Sequence, residues 1–409
     1  MSAPMEAARD PRLIADEPGL KGAWAGYRRR LAQGELGSLP VIVGLAVIWL
    51  IFYLANERFL SAVNLTNLML QIAAMGTISV GLVLVLLLGE IDLSAGAVSG
   101  LAAAVMAILS VKHQWPAVPA LLAGLGTGAA VGFFHGIWIT RLRVPSFVVT
   151  LAGLLGWQGA LLYVLGETGT VNLNDDVILA LAGTFFEPGI AWAVTVLAIV
   201  LHVAVVLMGR RRRAAAGLPL VPWRGTLVGL VAPSAVLVAT MTVFTLDRGL
   251  PLAVVIFVGL VLALELVFRH TLFGRHLFAV GGNAEAARRA GISVLVIRVA
   301  VFTLASMLAA AGGTLAASRL MAVNQSSGSG DVLLNAIAAA VIGGTSLFGG
   351  RGSAWSALLG ALVIGSISNG MDLLALSSSV KFMVTGGVLL VAASIDALSR
   401  RGRQAAGRA

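Results

Sequence analysis

VGLVLVLLLGEIDLSAG, residues 80–96, decides the fold of this chain. Val80 to Leu88 are apolar, interrupted only by Gly81, and the run from 67 to 89 is close to the ~20 residues that a helix needs to cross a bilayer. Glu90 and Asp92 follow at once. Because ionisable groups at or near membrane depth are costly and often functional, the stretch predicts a membrane-crossing helix that breaks at a polar turn.

The composition extends this interpretation to the whole chain. The 409 residues are 58% hydrophobic and 11% charged, with a mean hydropathy of +0.96, whereas a soluble domain carries about 25% charged residues. We therefore predict an all-α, polytopic integral membrane protein. The approximate apolar spans are 39–55, 67–89, 94–110, 116–139, 146–165, 190–208, 226–246, 251–268, 294–317, 331–347, 353–370 and 380–398.

These twelve runs divide the chain into a cytoplasmic N-terminal tail at 1–38, a transmembrane domain at 39–398 and a cytoplasmic C-terminal tail at 399–409. The sequence leaves open whether every run crosses fully or whether some are re-entrant. With both termini inside, 23 of the 28 Lys and Arg residues fall on the inner side. That split is what the positive-inside rule predicts, and it explains the net charge of +10 without nucleic acid.

Several kinds of chemistry are not supported by the sequence. There is no cysteine, which excludes thiolate catalysis and cysteine-ligated metals. No HxxxH or HExxH supports a zinc site, and no Ser-His-Asp constellation can be assembled. No GxxxxGK[ST] occurs, so the chain carries no phosphate-binding loop of its own. We predict a protein that is not an enzyme, with no metal or cofactor.

RHTLFGRHLFAVGGNAEAARRAGIS, residues 269–293, is one of the few long polar interruptions and falls on the cytoplasmic side. Gly281-Gly282 suggests a turn, Asn283 suits an N-cap, and Gly291 suits the position after the helix end. Ala284 to Ala290 favours a helix. A helix this short is only marginally stable in water, so it must pack against a partner.

Isolated polar residues within the spans have two interpretations. The Glu90–Asp92 turn is either a break that aims helix ends into a cavity or a plain cytoplasmic turn in which Asp92 or Ser94 caps the helix from Ala95. The other polar residues favour packing or hydrogen bonding between helices over a pathway; they are Gln71, Gln158, Asn335, Asn369, His135, His202 and the Glu265–Arg269 pair. Gly124, Gly128, Gly132 and Gly136 share one helix face and favour intramolecular helix packing over a dimer interface.

Taken together, five stretches resemble the permease subunits of bacterial ABC importers for monosaccharides, and within that family the D-xylose subgroup. The resemblance covers about residues 60–398. The stretches are GEIDLSAGAVSG at 89–100, RLRVPSFVVTLAG at 141–153, FGRHLFAVGGNAEAARRAGI at 273–292, AVIGGTSLFGGRGS at 340–353 and SISNGMDLL at 366–374.

The resemblance implies a function. Two permease copies would form the pathway for a small sugar, D-xylose in the nearest subgroup, across the bacterial inner membrane. Two ATPase subunits would dock inside, and a periplasmic sugar-binding protein would deliver the sugar. The loop 269–293 would hold the ATPase-coupling helix, with Gly282, Asn283, Glu285, Ala286, Arg288, Arg289 and Gly291 as its residues. Glu90, Asp92, Asn335 and Asn369 are the candidates for the translocation pathway.

The main alternative is a proton-coupled secondary sugar transporter, which also has twelve spans. The sequence lacks the basic GxxxD-R-x-G-R loop of such transporters and has few carboxylates suited to a proton relay. A membrane enzyme or scaffold would need a catalytic cluster or a large extramembrane domain, and neither is visible.

Overall fold

The computed structural model describes residues 39–166, 169–218, 220 and 222–405. The predicted N-terminal tail 1–38 and the last four residues of the predicted C-terminal tail lie outside these ranges. The helices are α1 Leu39–Ala55, α2 Ala62–Leu87, α3 Ala95–Ala107, α4 Ala117–Arg141, α5 Ser146–Leu165, α6 Asp176–Gly183, α7 Pro188–Ala215, α8 Trp223–Leu246, α9 Leu252–His270, α10 Leu272–Gly282, α11 Ala284–Arg289, α12 Val294–Leu320, α13 Gly330–Ile342, α14 Ala354–Leu373 and α15 Ser378–Ala405.

The structure confirms that the fold is predominantly helical and built from apolar helices. Within the described residues, nine helices are long and apolar enough to cross a membrane, with α3 counted together with its π-helical extension Ile108–Lys112. Shorter apolar helices occupy three further predicted runs, at Leu39–Ala55, Asp331–Ile342 and Ser378–Val391. Every predicted run thus corresponds to a helix, while the number that cross fully stays a prediction.

Helix α2 forms the centre of the bundle. Of its 26 residues, 18 are buried, including the whole run Gly76–Leu87. Side chains of α9, α12 and α14 pack around it in the main core cluster. A helix that is apolar all round is suited to such a fully enclosed position.

The glycine face of α4 packs within the chain, as the sequence predicted: Gly124 lies against α3, and the other three glycines lie against α12. A Cβ atom on Gly128 would lie 2.5 Å from the carbonyl oxygen of Ser306, and one on Gly132 would lie 2.2 Å from that of Phe302. Real side chains would force the helices apart, so these glycines allow the two backbones to touch.

Two small sheets in the loops are the only strands among the described residues. Strand β1 (Thr170–Asn172) pairs antiparallel with β4 (Ala322–Asn324), with Val171 opposite Val323. Strand β2 (Phe185–Phe186) pairs antiparallel with β3 (Leu250–Pro251). Both join connections at the end of the bundle opposite to the loop 269–293.

The predicted turn at Gly281-Gly282 is wrong. Both glycines belong to α10, an 11-residue helix that the sequence interpretation missed. Thr271 caps it by accepting the amide of Gly274 at 3.1 Å. The stretch 269–293 is therefore two consecutive helices that meet at Asn283, because this residue ends α10 and begins α11.

Candidate coupling site and polar cavity

Helix α11 has the caps that its sequence predicted. The Asn283 side-chain oxygen accepts the amide of Ala286 at 2.9 Å. At the other end Gly291 adopts φ +84°, its amide donates to Arg288 O, and the amide of Ile292 donates to Ala287 O, each at 3.0 Å. These two bonds form a Schellman motif that closes the helix.

The two faces of α11 differ in exposure. Glu285 binds Arg288 at 2.9 Å and Arg289 at 3.2 Å, and all three side chains are more than half exposed. Ala287 is buried in the main core cluster. The helix therefore packs against its own bundle through Ala287, and its charged face is exposed. Ala286 lies between these faces, and Gly282 precedes the helix as the last residue of α10.

Helix α10 touches two other segments through bare backbone. A Cβ atom on Gly281 would lie only 1.8 Å from the carbonyl oxygen of Leu87, at the end of α2. That same oxygen accepts the amide of Gly350 at 2.8 Å. Gly349 lies against Gly281 O and Gly89, so a Cβ atom on it would be 2.7 Å from that oxygen. We call this meeting point of Leu87, Gly89, Gly281, Gly349 and Gly350 the glycine junction.

The glycine junction brings together three of the stretches quoted above that are distant in sequence. They are the end of α2 with its polar turn, the loop of α10–α11, and the glycine-rich loop between α13 and α14. The last of these is irregular, since Gly344, Gly349, Gly350 and Gly352 all have positive φ. The helix ahead of it ends at Ile342 and the next one starts at Ala354.

Glu90 lies beside the glycine junction and forms an ion pair. Its carboxylate is 2.8 Å from the guanidinium of Arg298, and the two side chains are 15% and 30% exposed. Arg298 lies in the first turns of α12, the helix that follows α11. The pair therefore ties the polar turn after α2 to the element that leaves the 269–293 loop.

Asp92 is buried and organises the polar turn. Its Oδ1 accepts the amide of Ser94 at 2.7 Å and the Ser94 hydroxyl at 2.6 Å, ahead of α3. Its Oδ2 is buried with no hydrogen-bond partner among the described residues, as is Nδ1 of His135. His135 Nε2 instead accepts from Trp157 Nε1 at 2.9 Å. Asp92 therefore fixes the turn just ahead of α3, but the expected side-chain cap is absent: Ser94 is the N-cap residue and makes no side-chain capping bond.

Two hydroxyls from α5 complete this turn, and the sequence interpretation missed both. Ser146 Oγ accepts the amide of Ile91 at 3.4 Å, and Thr150 Oγ1 accepts the amide of Leu93 at 3.1 Å. Buried backbone groups outside helices need such partners. The signal available in the sequence was the spacing of four, which places Ser146 and Thr150 on one helix face.

Glu265 forms a second contact in addition to the predicted ion pair with Arg269. Its Oε1 accepts from Arg269 Nε at 2.5 Å, which confirms the ion pair, but the carboxylate is buried. Its Oε2 accepts the amide of Ala354 at 2.9 Å. Since the first amides of a helix lack internal partners, Glu265 caps α14 from α9, across 89 positions of sequence.

A cavity of about 600 Å³ opens at the other end of the bundle; most of its wall is apolar, and we call it the polar cavity after the polar side chains on one part of that wall. Helices α2, α12, α13, α14 and α15 line it. Its polar wall includes Gln71, Arg319, Asp331, Asn335, Ser368 and Asp372. Asp372 pairs with Lys381, whereas the half-buried Arg319 has no hydrogen bond or ion pair within the described part of the chain.

Only one of the four pathway candidates, Asn335, lines the polar cavity. Asn369 is buried beside it and exchanges two amide hydrogen bonds with Asn64, at 2.8 and 3.0 Å, which join α14 to α2. Glu90 and Asp92 follow the far end of α2. The structure therefore places the four candidates at three different locations.

Comparison with known proteins gives a consistent result. Residues 64–393 match the family model described as branched-chain amino acid transport system / permease component. The chain is 36% identical to the xylose transport system permease protein of Escherichia coli K12, over 90% of this chain and 93% of that relative. It is 32% identical to the Haemophilus influenzae xylose permease protein, over 91% and 99%.

The similarity extends to ribose permeases. The chain is 31% identical to the ribose import permease protein of Bacillus subtilis, over 89% of this chain and 94% of that relative. No solved structure matches.

Proposed function

Because this chain belongs to the family of permease components typified by branched-chain amino acid transport systems, we propose that it is the membrane subunit of an ATP-driven importer for a monosaccharide, with D-xylose as the sugar. The single observation that carries the proposal is the 36% identity to a xylose permease over nearly the whole of both chains. The similar relatives named above are permeases for sugars rather than amino acids.

The proposed topology has twelve spans in the bacterial inner membrane, with both termini in the cytoplasm. The distribution of 23 of 28 basic residues supports this orientation. It places the glycine junction and α11 at the cytoplasmic side and the polar cavity towards the outside. A sugar delivered from outside would then meet the cavity first.

The proposed partners are a second permease copy, two cytoplasmic ATPase subunits and a periplasmic sugar-binding protein. The charged, exposed face of α11 supports a docking role, since Glu285, Arg288 and Arg289 are held in place by their mutual ion pairs. Asn283 and Gly291 stop the helix at both ends, which keeps it a compact block. The ATPase subunits would bind this helix. ATP binding and hydrolysis take place in those subunits, so their movement would be passed to α11.

The glycine junction supports a route by which movement of α11 reaches the cavity. Helix α10 has no side chain between its backbone and Leu87 at Gly281, so it cannot shift without moving α2 or losing this contact. From Leu87, α2 runs about 14 Å along its axis to Ile78, which lines the cavity. Displacement at one end of α2 thus changes the wall at the other.

Two further helices connect the same two sites. Helix α12 carries Arg298 at the junction end and Arg319 in the cavity. Helix α14 carries the capped Ala354 at the junction end and Ser368 in the cavity. A ligand-driven shift between two packings of these helices would alternately open the cavity outward and inward.

The polar cavity suits a weakly held sugar. Gln71, Asn335 and Arg319 present amide and guanidinium groups that hydrogen-bond hydroxyls, and Met75 and Phe382 supply apolar wall. Tight binding would stall release, so a transport path needs sites that are favourable but weak. We propose Asn335 as a pathway residue, and Glu90, Asp92 and Asn369 as residues that hold the helices around it.

Uptake of radiolabelled D-xylose tests the proposal. The chain is expressed with its ATPase and binding protein in bacteria that lack their own xylose transporters. Uptake that stops on ATP depletion and survives a protonophore supports the importer. Uptake that stops with the protonophore and survives ATP depletion would establish the proton-coupled alternative, and transport of ribose but not xylose would correct the sugar.

A further inference from the structure

The hairpin of α7 and α8 stands apart from the bundle along most of its length. Only Ala191 and Thr195 of the 28 residues of α7 are buried. Near its start, Ala191 packs with Phe244 of α8 and Val254 of α9 in a small core cluster. From Val196 to Met208 the helix is apolar apart from His202, and its residues are half-buried or exposed, as expected for a helix surrounded by lipid.

The length of α7 places its arginines at the membrane surface. Its 28 residues extend about 42 Å, whereas the hydrocarbon core is about 30 Å thick. Arg210 comes 22 residues after Pro188, about 33 Å along the axis. The segment Arg210–Arg213 therefore emerges at the level of the lipid headgroups, and Gly217, at φ +65°, ends the helix just beyond it.

Two contacts join the end of α7 to the start of α8 at this level. The Arg210 guanidinium carbon lies 4.1 Å from the centre of the Trp223 ring, and Arg210 Nη1 donates to Thr226 Oγ1 at 2.8 Å. Trp223 is itself exposed, and tryptophan favours the membrane interface. These contacts hold the end of α7 against the start of α8.

The next three arginines have no such partners. Arg211, Arg212 and Arg213 are exposed and form no ion pair within the described residues. The whole segment 209–225 contains five arginines and no acidic residue. Successive helical positions are about 100° apart, so three consecutive guanidinium groups point around most of the helix circumference.

We propose that Arg211, Arg212 and Arg213, here called the arginine ring, bind the phosphate groups of anionic phospholipids. Guanidinium groups pair with phosphate through two parallel hydrogen bonds. Below the ring, the exposed Val200, Leu201 and Val205 provide an apolar surface for the acyl chains of the same lipids. Three arginines spread over about 200° of the helix circumference fit a surrounding layer of headgroups better than one flat protein face.

The test measures the lipid that stays bound to the purified permease. The protein is extracted from membranes, exchanged into nanodiscs that contain phosphatidylcholine and phosphatidylglycerol, re-extracted with mild detergent, and its retained lipid is quantified by mass spectrometry. We expect preferential retention of phosphatidylglycerol, which falls when the salt concentration is raised. If the wild-type protein retained the two lipids equally, or if its retention of phosphatidylglycerol did not depend on salt, the proposal would be overturned.

Variants locate the site. R211Q/R212Q/R213Q should weaken phosphatidylglycerol binding by roughly fivefold per arginine, and R211K/R212K/R213K should keep most of it. R141Q/R143Q, which removes two exposed arginines at the end of α4, is the matched control and should retain the lipid. Because the chain has no cysteine, Ala216→Cys, at an exposed position with φ −86°, reports by labelling in each background whether the loop still lies on the same side.

Two outcomes of the variant series contradict the proposal. Full phosphatidylglycerol retention by the glutamine variant would show that the arginine ring is not the site. If that variant kept its lipid but lost co-purification with the ATPase, the ring would be a protein contact instead. Lipid retention is measured without transport. A negative lipid result would therefore not contradict the proposed transport function, and a negative xylose-uptake result would not contradict lipid binding by the arginine ring.

Discussion

The carboxylate of Glu90 lies 2.8 Å from the guanidinium of Arg298, and this pair joins the polar turn after α2 to the helix that follows α11. Both side chains are mostly buried, and Nε of Arg298 has no hydrogen-bond partner among the described residues. The pair lies beside the glycine junction, so the end of α2 has two links to the segment 272–320: an ion pair to α12 and a backbone contact with α10.

Breaking this ion pair should impair both stability and transport. Glu90→Gln and Arg298→Gln each leave a mostly buried group without its charged partner, which costs about 1–3 kcal/mol of unfolding free energy. We expect a lower melting temperature of the purified permease and reduced xylose uptake. The exchange Glu90→Arg/Arg298→Glu should recover part of both.

The matched control for this pair is Arg58→Gln, which removes an exposed arginine that forms no ion pair within the described residues. Exposed charges contribute little to stability, so its melting temperature and uptake should stay close to wild type. Equal behaviour of Arg298→Gln and Arg58→Gln would show that the Glu90–Arg298 pair has no special role.

Gly281→Ala should disrupt the glycine junction. The added methyl group would meet Leu87 O at 1.8 Å, so α10 must move away from α2. Overpacking of this kind typically costs about 1–3 kcal/mol. We expect a lower melting temperature, together with ATPase activity that no longer responds to sugar-loaded binding protein in proteoliposomes.

Gly259→Ala in α9 is the control, because nothing lies within 4 Å of its added Cβ atom. Alanine also favours helix over glycine, so this variant should be as stable as wild type or slightly more stable. A Gly281→Ala protein with normal coupling would mean that α10 can separate from α2 without consequence.

The charged face of α11 should matter for assembly and not for folding. Glu285→Ala/Arg288→Ala removes exposed pairs, which contribute less than about 1 kcal/mol. We expect an unchanged melting temperature, with loss of ATPase co-purification and of uptake. Arg141→Ala, another exposed arginine, should preserve both, and intact assembly of the double variant would contradict the docking role of α11.

The two asparagines proposed from sequence should now behave differently. Asn335→Ala removes a hydrogen-bonding group from the polar cavity, so the xylose concentration for half-maximal uptake should rise several-fold with little change in melting temperature. Asn369→Ala removes two hydrogen bonds to Asn64, worth about 1 kcal/mol each. It should lower the melting temperature.

A double-mutant cycle separates these roles. Asn64→Ala/Asn369→Ala should cost little more than either single variant, because each single change already breaks the same pair. Asn64→Ala/Asn335→Ala should show additive effects. Additivity for Asn64 with Asn369 would indicate that their contact contributes nothing to stability.

The sequence by itself determined what depends on neighbouring residues. Apolar runs of near-bilayer length predicted the helices, the spacing of four predicted the glycine face of α4, and Asn283 and Gly291 predicted the ends of α11. Caps and helix faces involve residues within a few positions of each other, so the local sequence contains the information. The membrane class followed from composition, because charged groups are scarce throughout.

Tertiary structure alone decided which distant groups meet. Glu265 caps a helix 89 positions away, Asn369 binds Asn64 while Asn335 faces the cavity, and Gly281 touches Leu87. None of these pairings is visible in sequence, because each depends on how helices pack and rotate against one another. Gly281 illustrates the limit: two consecutive glycines favour a turn locally, but both lie in α10, where Gly281 packs directly against the backbone of α2.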